Sequence, residues 1–71
     1  MREYIIKPGV KEFMKSNKIT NRQIAKELGI TENYVSAIIN RKKTKISKLM
    51  AYAFCKVLDS EFEIEDLFAI M

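Results

Sequence analysis

At 71 residues, 48% apolar and 31% charged, the chain can form one folded domain and has no room for a second or for a large catalytic cleft. A single cysteine, Cys55, and the absence of histidine exclude an internal disulfide, histidine-based catalysis and a recognisable metal site; the lone thiol fits a reducing, intracellular setting. No stretch approaches the roughly 18 apolar residues of a membrane span, and the amino end lacks the apolar core of a signal peptide, so a soluble, unexported protein is expected.

Charge is unevenly placed. Positions 1–56 hold all 13 Lys and Arg with four acids, a balance of +9, and positions 57–71 hold five acids and no base, a balance of −5. Such a dipolar chain suggests a basic face for a polyanion and an acidic end kept away from it. The densest cluster, Arg41-Lys42-Lys43-Thr44-Lys45-Ile46-Ser47-Lys48, has five cations in eight residues. By composition it is an ordinary solvated loop, and only its position along the chain can give it a role.

In chain order, residues 3–7 contain Tyr4, Ile5 and Ile6, a run too short to separate a strand from an arm packed on the core. Pro8 suits a first helical turn, and Val10, Phe13 and Met14 at i, i+3, i+4 predict a first helix over about 8–17 with Lys11, Glu12, Lys15 and Ser16 outward. Thr20 and Gln23 form a capping box, with Ile19 placed to staple onto Ile24. The helix they open carries Ile24, Ala25 and Leu28 inward and stops at Gly29, where a left-handed residue would end it. The grammar then repeats at once: Ile30, Thr31 as N-cap, and Val35 as staple partner.

The third helix, 31–40, has two faces. Val35, Ile38 and Ile39 face a core, while Asn33, Ser36, Ala37 and Asn40 form a stripe of small or hydrogen-bonding side chains, the kind that lets a helix approach a base-pair edge. The stripe runs into the Arg41 to Lys48 cations, which would then lie near phosphates. Ile46 and Ser47 predict another staple and cap, opening a fourth helix with Met50, Ala53, Phe54, Val57 and Leu58 inward and Ala51 and Cys55 as partly buried filler. After the turn Asp59-Ser60-Glu61, the spacing of Ile64, Leu67, Phe68 and Met71 predicts a fifth helix, with Glu63, Glu65 and Asp66 near its positive end.

The run Thr20-Asn21-Arg22-Gln23-Ile24-Ala25-Lys26-Glu27-Leu28-Gly29-Ile30-Thr31-Glu32-Asn33-Tyr34-Val35-Ser36-Ala37-Ile38-Ile39-Asn40 resembles the helix-turn-helix of the Cro and lambda-repressor-like (XRE) family of DNA-binding domains. Ala25, Gly29 and Val35 occupy the small, turn and seam positions of that bihelical unit, and the likeness extends over about residues 9–68. It implies an all-α, five-helix lambda-repressor-like DNA-binding domain, one unit over 1–71, with the helix-turn-helix at 20–40 and a C-terminal segment at 59–71 available for dimer contact; residues 1–7, outside the likeness, stay open as a short N-terminal strand or arm.

It also implies that 31–40 is a recognition helix in the major groove. Glu32, Asn33, Ser36 and Ala37 become base-facing: Asn33 toward adenine N6 and N7, Glu32 toward cytosine N4, the Ala37 methyl toward a thymine methyl. Asn21, Arg22, Tyr34, Asn40, Arg41, Lys42, Lys43 and Lys45 become candidate phosphate contacts. Glu32 reads equally as a favourable first-turn acid, and the Tyr34 ring can cover the core edge while its hydroxyl reaches phosphate.

Three positions depart from the family pattern. Arg41 stands where a glycine usually follows the recognition helix, so Asn40 or Arg41 must take the left-handed turn. Ile39 replaces a common acid and is expected against the fourth helix. The turn over Asp59 to Glu63 is about two residues longer than usual.

The expected function is a sequence-specific transcriptional regulator, a small Cro-like repressor of a phage or mobile element that binds double-stranded DNA as a homodimer in the cytoplasm. No cofactor and no small-molecule ligand is expected. The dimer surface would come from Phe62, Ile64, Leu67, Phe68, Ile70 and Met71, joined by Tyr4 to Ile6, with some of these closing the core instead. The other reading is a protein-interaction module, an antitoxin or adaptor that keeps this scaffold and uses the apolar end. An enzyme has no recognisable constellation behind it.

Overall fold

The computed structural model describes residues 3–70, which run β1 (Tyr4–Ile6), α1 (Gly9–Ser16), α2 (Asn21–Leu28), α3 (Glu32–Ile39), α4 (Lys48–Leu58), α5 (Ile64–Leu67) and β2 (Phe68–Ile70). Each of α2, α3 and α4 starts where a side-chain oxygen meets an orphan amide of the first turn. Gln23, Tyr34 and Met50 donate their backbone N–H to Thr20 Oγ1, Thr31 Oγ1 and Ser47 Oγ at 3.1, 3.1 and 3.0 Å. At Thr20 the box closes, its own N–H donating to Gln23 Oε1 at 2.8 Å.

The first three helices also end alike. Lys18, Gly29 and Arg41 take positive φ of 56°, 68° and 62°. The next amide then donates back five residues: Ile19 to Met14 O (2.8 Å), Ile30 to Ala25 O (3.0 Å) and Lys42 to Ala37 O (2.8 Å). Only one of the three left-handed residues is the glycine that makes this conformation inexpensive. The open choice between Asn40 and Arg41 is thereby decided for Arg41, since Asn40 has φ −89°.

The core gathers Ile24, Val35, Ala51, Phe54 and Cys55, all at 0% exposure, with Ile38 and Phe68 at 1%. On α4 the inward stripe is Ala51, Phe54, Cys55 and Leu58, whereas Met50, Ala53 and Val57 are only half-buried. This corrects the expected face by a rotation of one residue. The small Ala51 and Cys55 lie innermost, where they leave room for larger neighbours.

The strand-or-arm question at the amino end resolves as a strand. β1 pairs antiparallel with β2 in the register Tyr4 to Ile70, Ile5 to Ala69 and Ile6 to Phe68. The expected fifth helix is therefore too long by its second half: it stops at Leu67, and Phe68 to Ile70 are extended. Met71, expected on that helix, lies outside the described residues. Helical spacing misleads here because Phe68 gains more as a strand residue, its ring edge-on to Tyr4 (6.3 Å) and Phe54 (5.9 Å). Among the described residues the expected five helices are present, closed by a two-stranded sheet whose first member is the short N-terminal strand.

The sheet changes what is left for association. Tyr4, Ile6, Ile64, Leu67 and Phe68, expected at a dimer surface, are at most 7% exposed within the single chain. Of that group Phe62 and Ile5 are half-buried and Ile70 is 46% exposed.

Candidate nucleic-acid interface

Two residues separate the end of one helix from the cap of the next. With Gly29 left-handed and Thr31 extended, α3 leaves the turn packed on α2, and the seam is filled by Ile24, Ala25 and Val35. Burial of Val35, Ile38 and Ile39 fixes the rotation of α3 about its axis and so determines what faces out.

None of the four expected reading residues is occluded: Glu32 and Asn33 are exposed, Ser36 and Ala37 half-exposed. Asn40 caps the helix beside them, and its Nδ2 donates to Ser36 Oγ at 3.0 Å. Lys11 reaches across from α1 and donates to Asn40 Oδ1 at 2.8 Å. Ile39 is 8% exposed and borders surface grooves with Val10, Lys11 and Met14 of α1.

The basic loop after α3 is held in three ways by β1 and the residue before it. Arg41 Nε donates to Ile6 O at 3.1 Å, Tyr4 N to Thr44 O at 2.9 Å, and Thr44 Oγ1 to the Glu3 carboxylate at 2.7 Å. The amides of Lys42 and Lys43 both donate to Ala37 O, at 2.8 and 3.1 Å. Lys42 and Lys45 project into solvent, while Lys43 Nζ lies 5.3 Å from the centroid of the half-buried Tyr34 ring. Among the expected phosphate contacts Arg41 therefore also has a structural task, and the Tyr34 ring serves as a platform for a cation.

Asn21 is half-buried at the first position of α2, with Arg22 exposed after it. Asn21 borders a groove of about 520 Å³ that the sequence reading missed, lined by Lys11, Lys15, Lys18, Thr20 and Asn40 over a floor of Met14, Ile19 and Ile39. The i, i+4 pair Lys11 and Lys15 on the outward face of α1 was the available signal. The acids of the carboxyl end lie elsewhere: Glu61, Glu63, Glu65 and Asp66 surround α5, where Glu63 sits 3.8 Å from Lys56.

The remaining chemistry is sparse. Among the described residues no cluster of His, Cys, Asp or Glu could hold a metal ion, and no helix is long and apolar enough to cross a membrane. Cys55 is fully buried; loss of solvation, reinforced by the nearby charge of Asp66, pushes its thiol up to about 11, so it stays protonated near neutrality.

A polar helix face open to solvent, bordered by a lysine-lined groove and a pinned basic loop, matches the demands of a duplex with its charged backbone and readable base edges. No curated protein and no solved structure matches the chain. The family model described as helix-turn-helix matches residues 10–64, from the first buried position of α1 to the start of α5. The chain belongs to the helix-turn-helix family of the Cro/C1 (XRE) type, the DNA-binding domains of transcription regulators.

Proposed function

We propose that this domain is a small Cro-like repressor that binds a palindromic operator as a homodimer, with α3 in the major groove of each half-site. The observation that supports this most is the exposure of Glu32, Asn33, Ser36 and Ala37 beside two separate sets of cations, Lys15 and Lys18 in the groove and Lys42, Lys43 and Lys45 in the loop. Asn33 would bridge adenine N6 and N7, Glu32 would accept from cytosine N4, and Ala37 would meet a thymine methyl. Asn21, Arg22, Tyr34, Asn40, Arg41, Lys42, Lys43 and Lys45 would set register on phosphates. Repression follows from occupancy: a bound dimer covers the operator and needs no ligand-sensing domain.

One small module makes few contacts, so a second copy on a half-site about one helical turn away supplies the missing affinity. The core claims most of the carboxyl-end apolar groups, and the dimer contact then falls to what it leaves open, Ile70 and Phe62 foremost. Selection of bound duplexes from a random pool tests binding, symmetry and spacing together. Symmetric half-sites and an affinity that falls steeply with salt are expected. Absence of any enriched duplex, or salt-insensitive association with a protein partner in its place, would turn the assignment toward an antitoxin-like adaptor.

A further inference from the structure

Lys11 is on a different helix from the reading face, 29 residues from Asn40, yet it is in hydrogen-bond contact with it. An ammonium group has three donors and no acceptor, so only the amide oxygen of Asn40 can face it. That choice fixes the other end of the amide. The Asn40 Nδ2 must face Ser36, and Ser36 Oγ accepts from it at 3.0 Å. The backbone of Asn40 is bound to the same turn, its N–H donating to Ser36 O at 2.9 Å, so the side chain has little freedom to swing away. A serine hydroxyl that accepts on its inner side keeps its own proton for an outer partner.

We infer that Lys11 is a positioning residue that sets the hydrogen-bond polarity of Ser36, making its hydroxyl a donor toward the duplex, so that the base it meets presents an acceptor there. This rests on the reading above that α3 lies in the major groove. The acceptors exposed in that groove are purine N7, guanine O6 and thymine O4, and the donors are adenine N6 and cytosine N4. With Lys11 removed, the Asn40 amide can turn over and offer its oxygen to Ser36. The hydroxyl would then donate inward and present only lone pairs outward, and its preference for an acceptor would be lost. Lys11 would thus affect which base is chosen without touching it.

The test is duplex selection with the parent chain and four variants, each first checked for a cooperative thermal transition. Ser36→Ala locates the base pair that Ser36 reads. At that pair, Lys11→Met is expected to reduce the acceptor-over-donor preference about five- to ten-fold, the worth of one hydrogen bond, with the salt slope unchanged. Lys11→Arg, also a pure donor, should preserve the preference. Asn40→Asp, whose carboxylate can only accept, should make Ser36 donate inward and reverse the preference toward a donor-bearing base.

Three results overturn the assignment while leaving the operator reading intact: uniform weakening of all duplexes by Lys11→Met with a slope lowered by about one, which is the mark of a phosphate contact; an unchanged preference in Asn40→Asp; or no position sensitive to Ser36→Ala. A parent chain that enriches no sequence overturns the operator reading itself.

Discussion

The turn into α3 and the turn out of it share one backbone pattern and differ in what maintains it. At Gly29 the left-handed residue has no Cβ, and the flanking caps at Thr20 and Thr31 are bonds that span three residues. At Arg41 the same conformation is imposed on a residue with a Cβ and is held from outside, by the Arg41 to Ile6 bond and the contacts of Thr44 with Glu3 and Tyr4. The entry turn is thus specified by its own residues. The exit turn is specified by a sheet whose strands come from opposite ends of the sequence, and it carries the cations expected at phosphate.

The largest expected effect breaks the exit side. Phe68→Ala removes the ring that joins β2 to Tyr4 and Phe54, a loss of about 3–5 kcal/mol in a domain whose total stability is on the order of 4–10 kcal/mol. Native-state hydrogen exchange should show Tyr4 and Lys42 losing protection ahead of Ile30; an unchanged order would mean that the exit turn stands without the sheet. Next come paired changes on either side of α3. Asn33→Ala should cost about 1–3 kcal/mol at one base pair and little on nonspecific duplex, whereas Lys42→Ala should weaken all duplexes and lower the salt slope by about one. Identical behaviour in titrations at several salt concentrations would dissolve the distinction between reading and positioning.

Gly29→Ala tests the entry turn alone. A Cβ there would meet nothing within 4 Å, so the expected loss of about 1–2 kcal/mol on chemical denaturation is a backbone cost and not a clash. The smallest effects sharpen the comparison most. Lys18→Gly relieves a left-handed lysine and should stabilise by about 0.5–1 kcal/mol. Arg41→Gly gains the same relief but loses the bond to Ile6, worth about 0.5–1.5 kcal/mol, so its melting temperature should barely move. Equal stabilisation by both would show that the latch contributes nothing.

The same division explains what could be read from residues alone. Caps at Thr20, Thr31 and Ser47 and the stop at Gly29 are interactions within a few residues, and all are legible as short patterns. So is the outward stripe of α3, because burial of Val35, Ile38 and Ile39 leaves Asn33 and Ser36 no other side. The strand at Phe68 was not legible: Ile64, Leu67, Phe68 and Met71 have helical spacing, and the partner that overrules it, Ile6, is nearly a full chain length away. Lys11 was hidden for the same reason. As one of two outward lysines on α1 it carries no local mark of its contact with Asn40, which exists only once α1 and α3 are packed.

The pairing of Tyr4 with Ile70 has a consequence for the order of events during synthesis. A nascent polypeptide can form its helical pair as soon as that stretch clears the ribosome, because every cap there is satisfied from within. The first strand must wait, solvated and unpartnered, until translation has delivered Phe68 to Ile70, and closing so long a loop is the costliest entropic step available to this topology. Competence to grip a polyanion should therefore mature last, when the two strands meet.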